Sequence, residues 1–201
     1  RKKWSGKKKN NMTRFIQLFA ICSLAFCLLF PATGKSQKSL HTVYNKLIES
    51  IGDFKTIPPE LLVVDSEHFV AAYSPSKNTI KFEKKAYELC VALGSDSLNA
   101  MAYILGHELG HCYKDHGWLK KEGSQYASLE FGKIMKQARL GVDTLKIYET
   151  QSDEFAGFYS RIAGYSSLEV VPELLPRIYE AYNLPKKLKR YPSLDERIFI
   201  A

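Results

Sequence analysis

The spacing of apolar residues along this chain changes after Gly52. Between residues 40 and 51, apolar side chains recur every three or four positions, which is typical of an amphipathic helix that ends at this glycine. After residue 60, short apolar stretches flank the turn-forming residues 74–78 and predict strands at residues 61–65, 69–73 and 79–83. The pattern therefore predicts an α+β fold with a small antiparallel sheet after the first helix.

Helical spacing returns between residues 98 and 116. The apolar positions of this predicted helix are Leu98, Met101, Ala102, Leu105, Leu109 and Cys112. Gly106 and Gly110 lie among them, and each should cost the helix up to about 1 kcal/mol relative to alanine. Their presence indicates that another backbone or a substrate packs close to this helix.

The same helix carries the sequence His107-Glu108-Leu109-Gly110-His111. A spacing of four residues places His107 and His111 on one helix face, close enough to bind one metal ion. Glu108 lies about 100° round the helix. It can therefore act as a general base on a metal-bound water rather than as a ligand. This arrangement is typical of zinc peptidases. The alternative is a buried helix in which common residues fall into this order by coincidence.

A catalytic zinc ion usually takes three protein ligands, so a third ligand is expected downstream. Apolar residues predict a second helix that contains Leu145, Tyr148, Phe155, Phe158, Tyr159 and Ile162. On it, Glu149 is the preferred ligand, and Asp153 can accept a hydrogen bond from a ligand histidine and fix its tautomer. Ala156 and Gly157 would let the two helices approach each other. Glu154 is the rival ligand, but it lies about 140° from Glu149. The alternative is that these acidic residues form a solvated helix face.

Together the two helices resemble the gluzincin pattern of the M48 peptidase family. The matching residues are His-Glu-Leu-Gly-His, followed by Glu149-x-x-Ser-Asp153-x-x-Ala-Gly. Residues 190–198 are similar to the late segment of that family, in which a His-Pro pair precedes a helix that carries an arginine. In this sequence Tyr191 stands where the family usually has histidine.

The resemblance implies a mainly helical, zincin-like metallopeptidase domain with Zn²⁺ as its cofactor. It implies metal ligands at His107, His111 and Glu149. Glu108 would be the general base, and Arg197 would support the site. Tyr191 could donate a hydrogen bond to the tetrahedral oxyanion, or it could be a packing residue behind the site.

The strand predicted at residues 79–83 bears on substrate binding. In zinc peptidases of this general kind, an edge strand before the metal-binding helix pairs with an extended substrate through backbone hydrogen bonds. The candidate substrate-binding residues are Thr79, Ile80, Lys81 and Phe82. The alternative is that residues 123–142 cover this edge, because their glycines and their length suit a flap as well as a structural helix.

The amino-terminal part of the chain differs in composition from the rest. The apolar residues 15–30 follow Arg14 and precede Ala32-Thr33-Gly34, which is the order of a secretory signal with its cleavage site. We therefore expect an upstream extension over residues 1–11, a signal peptide over residues 12–34 and a metallopeptidase domain over residues 35–201. The predicted location is secreted or periplasmic. An uncleaved membrane anchor is the weaker alternative, because this apolar stretch is short for a spanning helix.

Another expectation concerns the carboxyl-terminal end. Ser193 and Glu196 form a capping-box pattern that opens a helix close to the last residue, so the domain is expected to be truncated there.

The formal net charge of +8 arises largely from the leader. The first 34 residues hold seven basic and no acidic residues, which leaves the remainder close to neutral. The basic balance therefore does not indicate a nucleic-acid partner. The expected partner is a protein or peptide substrate, with membrane association only through an uncleaved signal.

Cys90 and Cys112 are the cysteines that remain after removal of the leader. In an oxidising compartment they could form a disulfide, and the alternative is two buried thiols that pack as small apolar residues.

The sequence thus predicts an exported zinc-dependent metalloendopeptidase that hydrolyses peptide bonds with a zinc-activated water and Glu108 as base. The competing prediction is a catalytically silent, zinc-bound module that holds peptides in the same cleft, as a chaperone would. The presence of Glu108 argues against this second class.

Overall fold

The computed structural model describes residues 33–52, 57–66, 68–114, 144–187 and 191–200. Its elements are α1 (Thr33–Ile51), β1 (Glu60–Val64), β2 (Ala71–Ser74), β3 (Thr79–Glu83), α2 (Lys84–Val91), α3 (Ser97–Tyr113), α4 (Thr144–Ile162), α5 (Ser167–Ala181) and α6 (Leu194–Ile200). The 3₁₀ turn Gly94–Asp96 precedes α3. The predicted α+β class with mainly helical content is confirmed.

The chain divides into the units Arg1–Lys38 and Ser39–Ala201. In the first unit the structure describes only residues 33–38, which open α1. The predicted extension over residues 1–11, residues 12–32 of the predicted signal peptide and the segment 123–142 lie outside the described residues. Among the helices that the structure describes, none is both long and apolar enough to cross a bilayer.

Helix α1 confirms the first predicted helix. It buries Leu40, Val43 and Leu47 on one face and ends at Ile51. The next residue, Gly52, has a φ of 76°, a left-handed backbone conformation that glycine adopts without steric cost. The predicted helix end therefore coincides with the observed one.

The sheet has the strand order β1-β3-β2. Strand β3 runs antiparallel to β2, with which it forms a hairpin, but parallel to β1. The prediction of an antiparallel sheet is therefore wrong for β1, and the sheet is mixed. The apolar pattern reports which strand faces are buried, and it carries no information on the direction of pairing.

The central position of β3 corrects a second expectation. Both backbone edges of β3 are paired, so Thr79, Ile80, Lys81 and Phe82 cannot pair with a substrate as residues of an edge strand. Thr79, Ile80 and Phe82 are instead buried in the domain. Among the described strands, β2 is an edge strand, and Tyr73 in β2 contacts α3.

Helix α3 is the central helix of the domain and is buried from Ala100 to Gly110. The two glycines within it lie against α4. A Cβ atom on Gly106 would lie 2.9 Å from Ala156 Cα, and one on Gly110 would lie 3.0 Å from Ser152 Cα. The predicted close approach of another backbone is confirmed, and that backbone is α4.

This contact predicts the effect of Gly106→Ala on stability. Helix propensity alone would raise the free energy of unfolding by up to about 1 kcal/mol. Over-packing typically costs about 1–3 kcal/mol. The contact at Gly106 is with backbone, which cannot rotate away. We therefore expect a net loss of about 1–2 kcal/mol in urea unfolding. Leu98→Ala, on the exposed side of α3, is the control and should change stability less. A stabilised Gly106→Ala variant would contradict this packing.

The capping box predicted near the carboxyl-terminal end forms at α6. The Ser193 backbone N–H donates to Glu196 Oε2 over 2.7 Å, and the Glu196 N–H donates to Ser193 Oγ over 3.3 Å. These reciprocal bonds satisfy two backbone donors at the start of the helix. They fix the position at which α6 begins and therefore the position of Arg197.

Cys90 and Cys112 are buried free thiols, so no disulfide joins them. Burial raises the pKa of Cys90 to about 12, which keeps this thiol protonated and unreactive. The alternative of two thiols that pack in the core is confirmed.

Candidate metal and catalytic site

Helices α3 and α4 bring His107, His111 and Glu149 together. One ligand atom from each of the three residues can be chosen so that all lie within 4.8 Å of one another. The Nε2 atoms of the two histidines are 3.2 Å apart, and they lie 3.4 Å and 3.6 Å from the Glu149 carboxylate oxygens. Ligand atoms at about 2.0–2.1 Å from a tetrahedral zinc are about 3.3–3.4 Å apart. The spacing and the chemistry of these donors therefore fit a zinc ion.

Burial distinguishes these three residues from the rival ligand. The side chains of His111 and Glu149 are each 19% exposed and that of His107 is 10% exposed, so the donors are sheltered yet reachable from solvent. Glu154 is exposed and does not belong to the cluster. The preference for Glu149 over Glu154 therefore agrees with the geometry of α4.

The donors are electrostatically coupled. Burial alone lowers the pKa of His107, but the charge and hydrogen bond of Asp153, with the hydrogen bond of Glu149, raise it to about 10. Burial alone raises the pKa of Glu149, but the hydrogen bond from His107 and the surrounding positive charges bring it below its usual range. The site thus holds a cationic group between two carboxylates. A metal ion would take the place of the proton, because a ligand histidine is neutral.

Glu108 lies on the side of α3 that faces β2. The backbone N–H of Tyr73 donates to Glu108 Oε2 over 2.7 Å. Burial raises the pKa of Glu108, and the charge of His107 and the Tyr73 hydrogen bond offset part of this effect. The edge strand therefore fixes a carboxylate whose basicity is increased beside the two histidines. Sequence reasoning did not identify the contribution of Tyr73, because the contact is made by a backbone atom.

Asp153 is fully buried behind His107. Its Oδ1 atom lies 2.8 Å from His107 Nδ1, so the contact expected between this carboxylate and a histidine is present. Arg197 of α6 donates from Nε to Oδ2 over 2.9 Å and from Nη2 to Oδ1 over 2.8 Å. Burial raises the pKa of Asp153, but His107 and Arg197 outweigh it and hold that pKa well below its usual range. The carboxylate is therefore ionised, and α6 reaches the site through its arginine.

Tyr103 also contacts Asp153, although its sequence position had not marked it as a site residue. Its hydroxyl donates to Asp153 Oδ1 over 2.7 Å. Burial, followed by the charge of Asp153, raises the pKa of Tyr103 well above its usual value, so the phenol stays protonated. Its position four residues before His107 on one helix is the signal that could have identified it.

A cleft of about 660 Å³ opens over the site. Its walls are formed by residues of β2 and the following turn, α3, α4 and α5, and its apolar lining includes Ala71, Ile104, Leu175, Ile178, Tyr179 and Leu184. Tyr191 also lines the cleft and is 39% exposed. Its role as an oxyanion donor stays a prediction. Among the residues that line this cleft, none comes from β3.

The chain is similar in sequence to a known protein family. The sequence model of Peptidase family M48 matches residues 34–163. This range holds His107, Glu108, His111, Glu149 and Asp153, whereas Tyr191 and Arg197 lie beyond it. No curated protein and no solved structure matches the chain. Because the family match covers more than half of the chain and contains the complete donor cluster, the chain belongs to peptidase family M48, a family of metallopeptidases.

Proposed function

We propose that the chain is an exported zinc-dependent metalloendopeptidase. The observation that carries the proposal is the set of donors from His107, His111 and Glu149, spaced as a tetrahedral zinc requires and placed beside buried Glu108. Two imidazoles favour zinc over magnesium or calcium, which prefer oxygen ligands. When bound, zinc polarises the scissile carbonyl and lowers the pKa of the attacking water toward about 7.

The protein side chains then have separate tasks. Glu108 accepts the proton of the attacking water and delivers it to the leaving amine. The Tyr73 N–H fixes one oxygen of Glu108, so the carboxylate keeps its orientation while its charge changes. Asp153 holds the Nδ1 side of His107, which leaves Nε2 of that ring free for the metal.

The peptide substrate would lie along β2, not β3. Strand β2 is an edge strand that lines the cleft with Ala71, Ala72 and Tyr73, and an extended peptide can pair with such an edge through backbone hydrogen bonds. Pairing of this kind engages residues on both sides of the scissile bond, which favours endopeptidase activity. The apolar walls from α3 and α5 favour peptides with large apolar side chains.

Export is the part of the proposal that rests on sequence alone. We expect the secreted or periplasmic protein to begin close to residue 35 after removal of the signal peptide. Amino-terminal sequencing and intact mass of the protein, expressed with its own leader, measure this directly. Retention of residues 15–30 in a membrane fraction would instead identify an anchor.

The test of the peptidase proposal is cleavage of an unfolded protein and of a peptide library. It is made with the full chain, with Glu108→Gln and with chelator-treated protein, and zinc is measured in the same samples. Zinc in the parent protein, with cleavage that both treatments abolish, supports the proposal. Bound zinc without cleavage would instead identify the silent peptide-binding module, and a parent protein without zinc would overturn the metal site.

A further inference from the structure

The buried hydroxyl of Tyr103 meets the same oxygen atom as the ring of His107. Both residues lie on α3, four positions apart, and therefore on one helix face. Asp153 Oδ1 accepts from the Tyr103 hydroxyl over 2.7 Å and lies 2.8 Å from His107 Nδ1. Tyr103 is 1% exposed and Asp153 is fully buried, so water cannot replace either partner without a rearrangement.

We propose that Tyr103 is a positioning residue of the metal site, which holds the Asp153 carboxylate in the orientation that directs the His107 ring toward the metal. The inference rests on the zinc site proposed above.

The direction of each hydrogen bond supports this role. An ionised carboxylate only accepts, so the phenol must donate to Asp153, and the Nδ1 atom of His107 must carry the proton that it shares with Oδ1. Once a metal ion replaces the proton on Nε2, a histidine that keeps its proton on Nδ1 presents the lone pair of Nε2, which is the atom that faces His111 and Glu149. The orientation of the carboxylate therefore decides which ring nitrogen is available to a metal ion.

Arg197 holds the same carboxylate from α6. Its guanidinium contacts both oxygens of Asp153 and also comes within 3.4 Å of His107 Nδ1. It thus draws the carboxylate from the α6 side and places positive charge next to the ring. Tyr103 donates to Oδ1 from α3, the helix that carries His107. The oxygen shared with the ring of His107 is thereby held by a donor from α3 as well as by the donor from α6.

Removal of one hydroxyl group tests the inference in the full chain. Tyr103→Phe retains the ring and its packing, and it leaves Asp153 Oδ1 with two donors, so the fold is expected to persist. Loss of partners that orient a metal ligand typically costs about 10–100-fold in metal affinity. We expect a loss of about tenfold or more in zinc affinity, measured by competition with a chromophoric chelator.

The matched control is Tyr44→Phe. Tyr44 is also buried, and its hydroxyl donates to the backbone carbonyl of Pro59, which is not one of the metal donors or of the residues that orient them. This variant loses a comparable hydrogen bond and is expected to bind zinc with the affinity of the parent. Thermal unfolding of both variants in the zinc-free state measures any general loss of stability. Equal zinc affinity in Tyr103→Phe and the parent would overturn the role of Tyr103, whereas a parent that binds no zinc would overturn the metal site itself.

The role of Tyr103 can also be tested in the parent protein, without a variant. Coupling between two groups is reciprocal, so zinc binding should alter the environment of the Tyr103 hydroxyl. We expect zinc to shift the NMR resonance of the Tyr103 ring carbon that carries the hydroxyl, and to leave that of Tyr44 in place. An unchanged Tyr103 resonance in zinc-loaded protein would overturn the inference even if Tyr103→Phe did not fold.

Discussion

Replacement of Glu108 by glutamine is expected to lower kcat/KM by about 10²–10⁴-fold while zinc stays bound. Glutamine has the shape of glutamate, and its side-chain oxygen can still accept the Tyr73 N–H. What it loses is the ability to take a proton from the attacking water. Because Glu108 contributes no donor atom to the cluster, the metal should remain at the stoichiometry of the parent.

The measurement combines steady-state cleavage of a fluorogenic peptide with zinc analysis of the same sample. Glu88→Gln, a neutralisation on the exposed side of α2, is the control and should leave both values unchanged. Turnover close to that of the parent in Glu108→Gln would assign the general base to another residue. Loss of zinc in that variant would instead place Glu108 among the ligands.

Replacement of Glu149 by alanine is expected to remove bound zinc and, with it, peptide cleavage. This residue supplies the carboxylate that lies 3.4 Å and 3.6 Å from the two ligand nitrogens. Loss of a residue that only orients a ligand costs up to about 100-fold in affinity, so loss of the ligand itself should exceed that value. Zinc should fall below one ion per chain after dialysis against a weak chelator, and cleavage should disappear with it.

Glu154→Ala is the matched control, because this residue lies on the same helix, is exposed and remains outside the cluster. It should retain zinc and activity. If Glu149→Ala kept its zinc while Glu154→Ala lost it, the ligand assignment would be reversed, and the position of α4 against α3 would have to differ from the one described.

The residues at the centre of the site could be predicted because their geometry is local. His107, Glu108 and His111 span a little more than one helical turn, so their relative directions follow from helix geometry alone. Glu149 and Asp153 are likewise one turn apart on α4. Glycines at positions 106 and 110 also indicated that a second backbone approaches α3, and Ala156 with Gly157 indicated that the second helix could be this neighbour.

The features of the fold and the site that the sequence did not predict depend on tertiary contacts, which a local sequence pattern does not encode. The order of the strands is one example, because apolar spacing does not tell which strand lies in the middle of the sheet. The hydrogen bond from the Tyr73 backbone is another, since every residue offers an N–H. The contact of Tyr103 with Asp153 joins residues of two helices that are 50 positions apart in the sequence.

Helix α5 was difficult to predict from the sequence because it contains two prolines. Pro172 and Pro176 lie inside it, and proline removes a backbone donor and ordinarily interrupts a helix. Its buried apolar positions nevertheless recur at helical spacing, at Val170, Val171, Leu174, Leu175, Ile178 and Tyr179. This periodicity is the signal that outweighs the two prolines, and three of these positions, Leu175, Ile178 and Tyr179, also line the cleft.

The contact between α3 and α4 has a consequence for how this enzyme can diversify. Because Gly106 lies directly against the Ala156 backbone, the two helices that carry the metal donors cannot shift without losing that contact. Strand β2 and helix α5 carry cleft residues and no donor. Sequence changes that adapt the enzyme to new peptides are therefore expected mainly in β2 and α5. The donor residues on α3 and α4 are expected to stay the same.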